Sequence, residues 1–117
     1  MLKEAIRINK QQLLAEKFGY AEFRAGQETI IDKILNHENV LGIMPTGGGK
    51  SVCYQLPSLM LEGLTLVISP LISLMKDQVD QLNEMGIPAT YINSTLTQEE
   101  TNQRFRQVWQ GEIKLLY

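Results

Sequence analysis

The chain has 117 residues, with 11 Lys plus Arg against 13 Asp plus Glu and one His, and its net charge of −2 excludes a generally basic DNA-coating protein. With 44% hydrophobic and 21% charged residues it has ordinary globular composition, which excludes disordered and collagen-like chains and predicts one core and one domain. The single cysteine, Cys53, cannot form an internal disulfide, and no set of Cys and His is present for a structural zinc, so a reducing, cytosolic setting is expected.

Residues 3–17 lack Gly and Pro and are rich in helix formers, which predicts a surface helix with Ile6, Leu13 and Leu14 on its buried side and a stop at Gly19. The charges at Lys3, Glu4, Arg7 and Lys10 leave no continuous apolar segment of the kind a secretory signal needs. Between Gln27 and His37, the spacing of Ile30, Ile31, Ile34 and Leu35 predicts a second helix with one apolar face. His37 reads as a capping or surface residue. From Val40 a short apolar run to Met44 predicts a strand, broken by Pro45-Thr46-Gly47-Gly48-Gly49, after which a helix is expected up to Pro57 with Cys53 buried in its first turn.

A second strand is expected over Leu64–Ser69. The helix after it has Leu71, Leu74, Met75, Val79, Leu82 and Met85 in helical period and Gly86 as its stop. A third strand, Ala89–Ile92, leads to Asn93-Ser94. Thr97 with Glu100 then predicts a capping box for a helix ending at Gly111, with Phe105, Val108 and Trp109 facing inward. Ile113–Tyr117 reads as a fourth strand at the end of the sequence, with nothing to cap or cover it. Alternating strands and helices with short connections predict an α/β fold with a parallel sheet between helices. Stretches free of charge, such as Gly63–Met75, fall short of the roughly 18 residues a membrane-spanning helix requires.

Met44-Pro-Thr-Gly-Gly-Gly-Lys-Ser51 carries the glycine, lysine and hydroxyl arrangement of a P-loop between a predicted strand and a predicted helix. In such a loop the backbone N–H groups over Thr46, Gly47, Gly48, Gly49, Lys50 and Ser51 surround phosphate oxygens, and the helix N-terminus adds a favourable field. Lys50 is the catalytic candidate, reaching the β- and γ-phosphates of ATP, and the Ser51 hydroxyl is the candidate Mg²⁺ ligand. The strict pattern has Gly where this chain has Met44, but the glycines nearest the phosphate are kept.

Three segments together, Phe18-Gly-Tyr-Ala-Glu-Phe-Arg-Ala-Gly-Gln27, the P-loop, and Ser69-Pro-Leu-Ile-Ser-Leu-Met-Lys-Asp-Gln-Val79, resemble the first three motifs of RecQ-type DNA helicases in order and spacing. The resemblance runs from about Leu13 to Tyr117. It implies a P-loop NTPase (RecA-like) fold, ATP and Mg²⁺ as cofactors, and 3′-to-5′ unwinding of DNA in recombination and repair. It further implies that residues 1–117 are the N-terminal portion of the first RecA-like domain: 1–39 a helical segment with the adenine-reading motif, 40–117 the P-loop and following βα units, incomplete at the C-terminus.

On the same resemblance, Gln27 would read the N6 and N7 edge of adenine, for which a carboxamide offers both a donor and an acceptor, and Tyr20 and Arg24 would stack on the base. Ser69, Pro70, Leu71, Ser73 and Lys76 match the family's contact to single-stranded DNA, with backbone N–H groups near Leu71–Ser73 facing a phosphate. Leu71, Leu74 and Met75 would otherwise be core, at least two of the three. Asn93 and Ser94 match a further position at the DNA-facing end of the sheet, and Trp109 reads as packing.

The partners implied are single-stranded and partly duplex DNA and the C-terminal remainder of the same protein, and the location is cytoplasmic with the nucleoid, or nuclear in a eukaryote. An acidic Mg²⁺-binding residue at a strand end, a group to position water, and an arginine for the γ-phosphate are all needed for hydrolysis, and none is identifiable in the sequence. Asp77 and Asp80 fall within a helix. The 117 residues alone are therefore expected to be inactive, and a non-catalytic nucleotide- or DNA-binding module is the alternative. A small-molecule kinase would need neither Gln27 nor the Ser69–Val79 segment.

Overall fold

The computed structural model describes residues 9–45 and 49–117. Ile6 and the loop residues Thr46, Gly47 and Gly48 lie outside them. The chain divides into two compact units, Met1–Glu62 and Gly63–Tyr117.

In the first unit, helix α1 (Lys10–Phe18) is opened by Asn9, whose side chain accepts the Gln11 N–H at 2.8 Å. It closes at Gly19, where φ is 75°, a conformation glycine adopts without steric cost, and the Leu14 carbonyl accepts from both Gly19 and Tyr20. Helix α2 (Gln27–Leu35) starts at Gly26, and His37, exposed and with φ 60°, stands just past its end. Helix α3 (Val52–Met60) completes the unit. Leu13, Leu14, Ile31, Val52 and Leu56 form its buried centre, with Phe18, Phe23, Leu35, Leu59 and Met60 packed against it. Lys10 ties α1 to α2 by pairing with Glu28 at 2.9 Å and with Asp32.

Two expectations for this unit are corrected. Helix α3 does not stop at Pro57. A proline inside a helix costs about 3 kcal/mol, and Leu59 and Met60, which follow it, offset part of that cost by packing against the buried cluster. The expected strand at Val40–Met44 does not form either, because a strand needs a neighbour to take its backbone groups and this unit has no other strand among its described residues. The side chains still alternate. Val40, Gly42 and Met44 line a cavity of about 240 Å³ with Ile30, Ile34, Lys50, Cys53 and Tyr54, while Leu41 and Ile43 are 86% and 87% exposed.

In the second unit, strands β1 (Thr65–Leu66), β2 (Ala89–Thr90) and β3 (Leu115–Leu116) form a parallel sheet in the order β1-β3-β2, connected through helices α4 (Ile72–Glu84) and α5 (Gln98–Trp109). This is the expected parallel α/β arrangement, with one correction: the last strand is central and covered. Leu115 and Tyr117 are buried, and β3 accepts from or donates to both neighbours, as in Val67 N–H to Leu116 C=O at 2.8 Å and Ile92 N–H to Tyr117 C=O at 3.0 Å. Met75, Val79 and Leu82 bury the inner face of α4, which ends before Gly86 at φ 79°. Leu71 and Leu74 are exposed, so only Met75 of the three core candidates is core, because the stripe that meets the sheet runs through Met75, Val79 and Leu82.

The Thr97–Glu100 capping box forms as expected, with Thr97 Oγ1 accepting from Glu100 N–H at 3.1 Å and Glu100 Oε1 accepting from Thr97 N–H at 3.0 Å. The inner face of α5 differs from expectation. Thr101, Arg104, Gln107 and Val108 are half-buried, whereas Phe105 is 52% and Trp109 92% exposed. Phe105 and Trp109 share a stripe roughly a quarter-turn or more away from the one turned inward. The Thr97 N–H bond holds the Glu100 carboxyl below its usual range. Its contribution to α5 is therefore full above the ordinary carboxylate range and is lost as pH falls through the depressed value. Glu100→Gln, which retains an acceptor for the box, is expected to remove that part of the acid loss of helicity, as followed by circular dichroism against pH.

The outer edge of β2 is closed by a side chain. Asn83, on α4, accepts the Ala89 N–H at 3.0 Å and donates to the Ala89 carbonyl at 3.2 Å, as a neighbouring strand would. Asn83→Ala is expected to lower stability by about 1–2 kcal/mol and to promote self-association through the opened edge, read from urea unfolding and sedimentation. Among the described residues no helix is long and apolar enough to cross a membrane.

Candidate functional site

In the first unit Gly49 of the P-loop meets the start of α2. Gln27, the first residue of α2, is 3% exposed. Its Oε1 accepts the Arg24 N–H at 2.8 Å while its own N–H donates to the Arg24 carbonyl at 3.1 Å, closing a small ring around the Ala25-Gly26 turn. Its Nε2 donates to the Gly49 carbonyl at 3.0 Å, across 22 residues of sequence. One carboxamide thus joins the expected base-reading segment to the phosphate loop, and the group still has one lone pair and one N–H to offer.

Gly49 is required by this contact as well as by its backbone. It has φ 79°, and a Cβ there would stand 2.2 Å from Gln27 Nε2. Arg24 and Tyr20 are both exposed, with the guanidinium 5.9 Å from the Tyr20 ring centroid. The Schellman-type closure of α1 carries Tyr20, and Gln11 Nε2 holds the following turn by donating to the Ala21 carbonyl at 2.6 Å.

Lys50 is exposed and Ser51 stands at the start of α3. A serine at a helix start usually caps the helix with its hydroxyl, but Ser51 makes no such bond, which leaves its oxygen free of that role and suited to a hard cation such as Mg²⁺. Met44, standing where the strict motif has Gly, has its sulfur 3.8 Å from Cys53 Sγ. Cys53 is buried, as expected, and burial pushes its thiol pKa up, which keeps it protonated and inert. Among the described residues, no cluster of three or more His, Cys, Asp or Glu is placed to hold a metal by itself.

In the second unit, Ser69 and Pro70 follow β1 and Asn93 and Ser94 follow β2, so both segments leave the C-terminal ends of parallel strands, the edge where open α/β sheets bind ligands. Asn93 Nδ2 lies 3.5 Å from Met75 Sδ on α4, which brings the two segments together. Ser69 Oγ accepts the Leu71 N–H at 3.2 Å, and Lys76 Nζ pairs with Asp80 at 2.6 Å. That pair is exposed and screened by solvent, so a phosphate can replace Asp80 at small cost. Leu71, Ser73 and Ser94 are exposed. Asn93 Oδ1 accepts from the Thr95 N–H at 2.9 Å, forming an Asx turn.

The sequence reading passes over Tyr91 and Arg104. Arg104 Nη1 donates to the Tyr91 carbonyl at 2.8 Å and its guanidinium lies 4.3 Å from the Tyr91 ring centroid. They are 13 residues apart, with no periodicity to connect them.

The family model described as DEAD/DEAH box helicase matches residues 24–117, which takes in Arg24, Gln27, the P-loop and the whole second unit. The chain is 56% identical, over 92% of its length, to the ATP-dependent DNA helicase RecQ of Bacillus subtilis. It is 54% identical over 90% of its length to the protein of the same name from Haemophilus influenzae, and 45% identical over 97% to that from Synechocystis. It spans only 18%, 17% and 24% of the lengths of those relatives. With a helicase family model covering most of the chain and its similarity lying with RecQ-type proteins, this chain belongs to the DEAD/DEAH box helicase family.

Proposed function

We propose that the chain is the ATP-binding part of a RecQ-type helicase that hydrolyses ATP with Mg²⁺ to unwind DNA in the 3′-to-5′ direction, in recombination and repair. The observation that carries this reading is the bond from Gln27 Nε2 to the Gly49 carbonyl, because a base-reading group tied to a phosphate loop fits an adenine nucleotide along its length. Tyr20 and Arg24 would flank the base. The backbone over Thr46–Gly49 would hold the phosphates with Lys50, and Ser51 would ligate the metal. When bound, Mg²⁺ supplies charge neutralisation between the phosphates.

Ser69, Pro70, Leu71, Ser73, Lys76, Asn93 and Ser94 would contact the backbone of single-stranded DNA, next to a duplex that the protein opens. The rest of the hydrolytic machinery would come from other parts of the full-length protein. Its place in the cell follows its DNA, in the bacterial cytoplasm or a eukaryotic nucleus. The experiment is strand displacement by the full-length protein on duplexes with a 3′ or a 5′ single-stranded tail. Unwinding of the 3′-tailed duplex alone, dependent on Mg-ATP, is the expected result. Nucleotide and DNA binding without turnover or unwinding would instead establish a non-catalytic module.

A further inference from the structure

We infer that Arg104 is a positioning residue for DNA binding, which clamps the end of β2 so that Asn93 and Ser94 are presented in a fixed turn, without itself touching DNA. The inference rests on the reading above that Asn93 and Ser94 contact DNA. Among the described residues strand β2 is an outer strand, paired on one side only. On that side the Pro88 and Thr90 carbonyls accept from Lys114 and Tyr117, and Ile92 donates to the Tyr117 carbonyl. The intervening residues, Ala89 and Tyr91, therefore direct their backbone groups outward, where an ordinary edge meets water or another strand.

Here those groups meet side chains from the two flanking helices. Asn83 of α4 takes both groups of Ala89, and Arg104 of α5 takes the carbonyl of Tyr91. Arg104 grips Tyr91 twice, through that carbonyl at 2.8 Å and by stacking at 4.3 Å from its ring centroid. The planar guanidinium can do both at once, which the point charge of a lysine cannot. Asn93 follows two residues later, and its side chain is spent on the turn that exposes Ser94. Arg104 itself is half-buried, with its charge turned to Tyr91, and Glu100 one turn earlier is committed to the Thr97 N–H. The direction of the DNA-facing turn is thus set from α5, on the side of β2 opposite β3.

The test is a set of variants of the full-length protein titrated with single-stranded oligonucleotide at several salt concentrations. Arg104→Ala is expected to raise the Kd for DNA by roughly tenfold, the lower end of the scale of one charge-assisted hydrogen bond, with ATP affinity little changed. The slope of log Kd against log salt should stay at the wild-type value, because no phosphate contact is lost. Combined with Asn93→Ala plus Ser94→Ala, the Arg104→Ala loss should largely vanish, since it acts through that turn. Arg104→Lys, which keeps charge and packing, serves where alanine unfolds the protein and is expected to bind DNA more weakly than wild type.

A flattened salt slope, additive losses, or wild-type affinity in Arg104→Lys would each overturn the positioning role. Wild-type DNA affinity in Arg104→Ala beside weakened binding in the Asn93→Ala plus Ser94→Ala variant would overturn it while leaving the DNA contact standing. Unchanged affinity in that double variant would overturn the contact and the positioning role together.

Discussion

Lys50→Ala in the full-length protein is expected to cut ATP turnover by about 10²- to 10³-fold and to abolish unwinding, while DNA affinity stays close to wild type. Lys50 is exposed beside Gly49 and Ser51, and among the described residues its ammonium forms no salt bridge. The expected loss therefore comes from charge stabilisation of the transferring phosphoryl group and not from unfolding. Steady-state phosphate release with and without single-stranded DNA measures the first effect, and fluorescence anisotropy of labelled DNA the second. Turnover within tenfold of wild type would remove Lys50 from the catalytic role.

Gln27→Ala is expected to weaken ATP binding by about 10- to 100-fold and GTP binding by only a few-fold. The two effects have separate origins. Losing the bond to the Gly49 carbonyl would loosen the loop for any nucleotide, whereas losing the carboxamide proposed to meet N6 and N7 would remove an interaction specific to adenine. The buried position of Gln27 adds a structural cost, because the Arg24 N–H loses its acceptor. Dissociation constants for both nucleotides with Mg²⁺, measured beside the melting temperature, separate these contributions. An equal loss for ATP and GTP would leave Gln27 as a brace for the loop and not a reader of the base.

The elements that the sequence determined by itself are those fixed by neighbours a turn or less away. Gly19 and Gly86 end α1 and α4 because glycine reaches left-handed backbone without penalty, and Thr97 with Glu100 opens α5 through bonds three residues apart. The βα alternation and the P-loop composition are likewise local patterns, and the family resemblance rests on three short segments, Phe18–Gln27, the P-loop and Ser69–Val79, each legible in the chain itself.

Tertiary structure alone decided what faces what. The stripe of α5 that turns inward, the continuation of α3 through Pro57, the exposure of Leu71, Leu74 and Trp109, and the central place of β3 all depend on which surfaces are available for burial. Apolarity shows that a side chain gains by leaving water but not where it can do so. The same holds for Val40–Met44, whose alternation is legible but whose ladder requires a neighbouring strand. The long-range side-chain bonds within each unit, Gln27 to Gly49 in the first and Arg104 to Tyr91 in the second, span 22 and 13 residues. Only packing brings such pairs within hydrogen-bond reach, and no periodicity in the chain encodes their meeting.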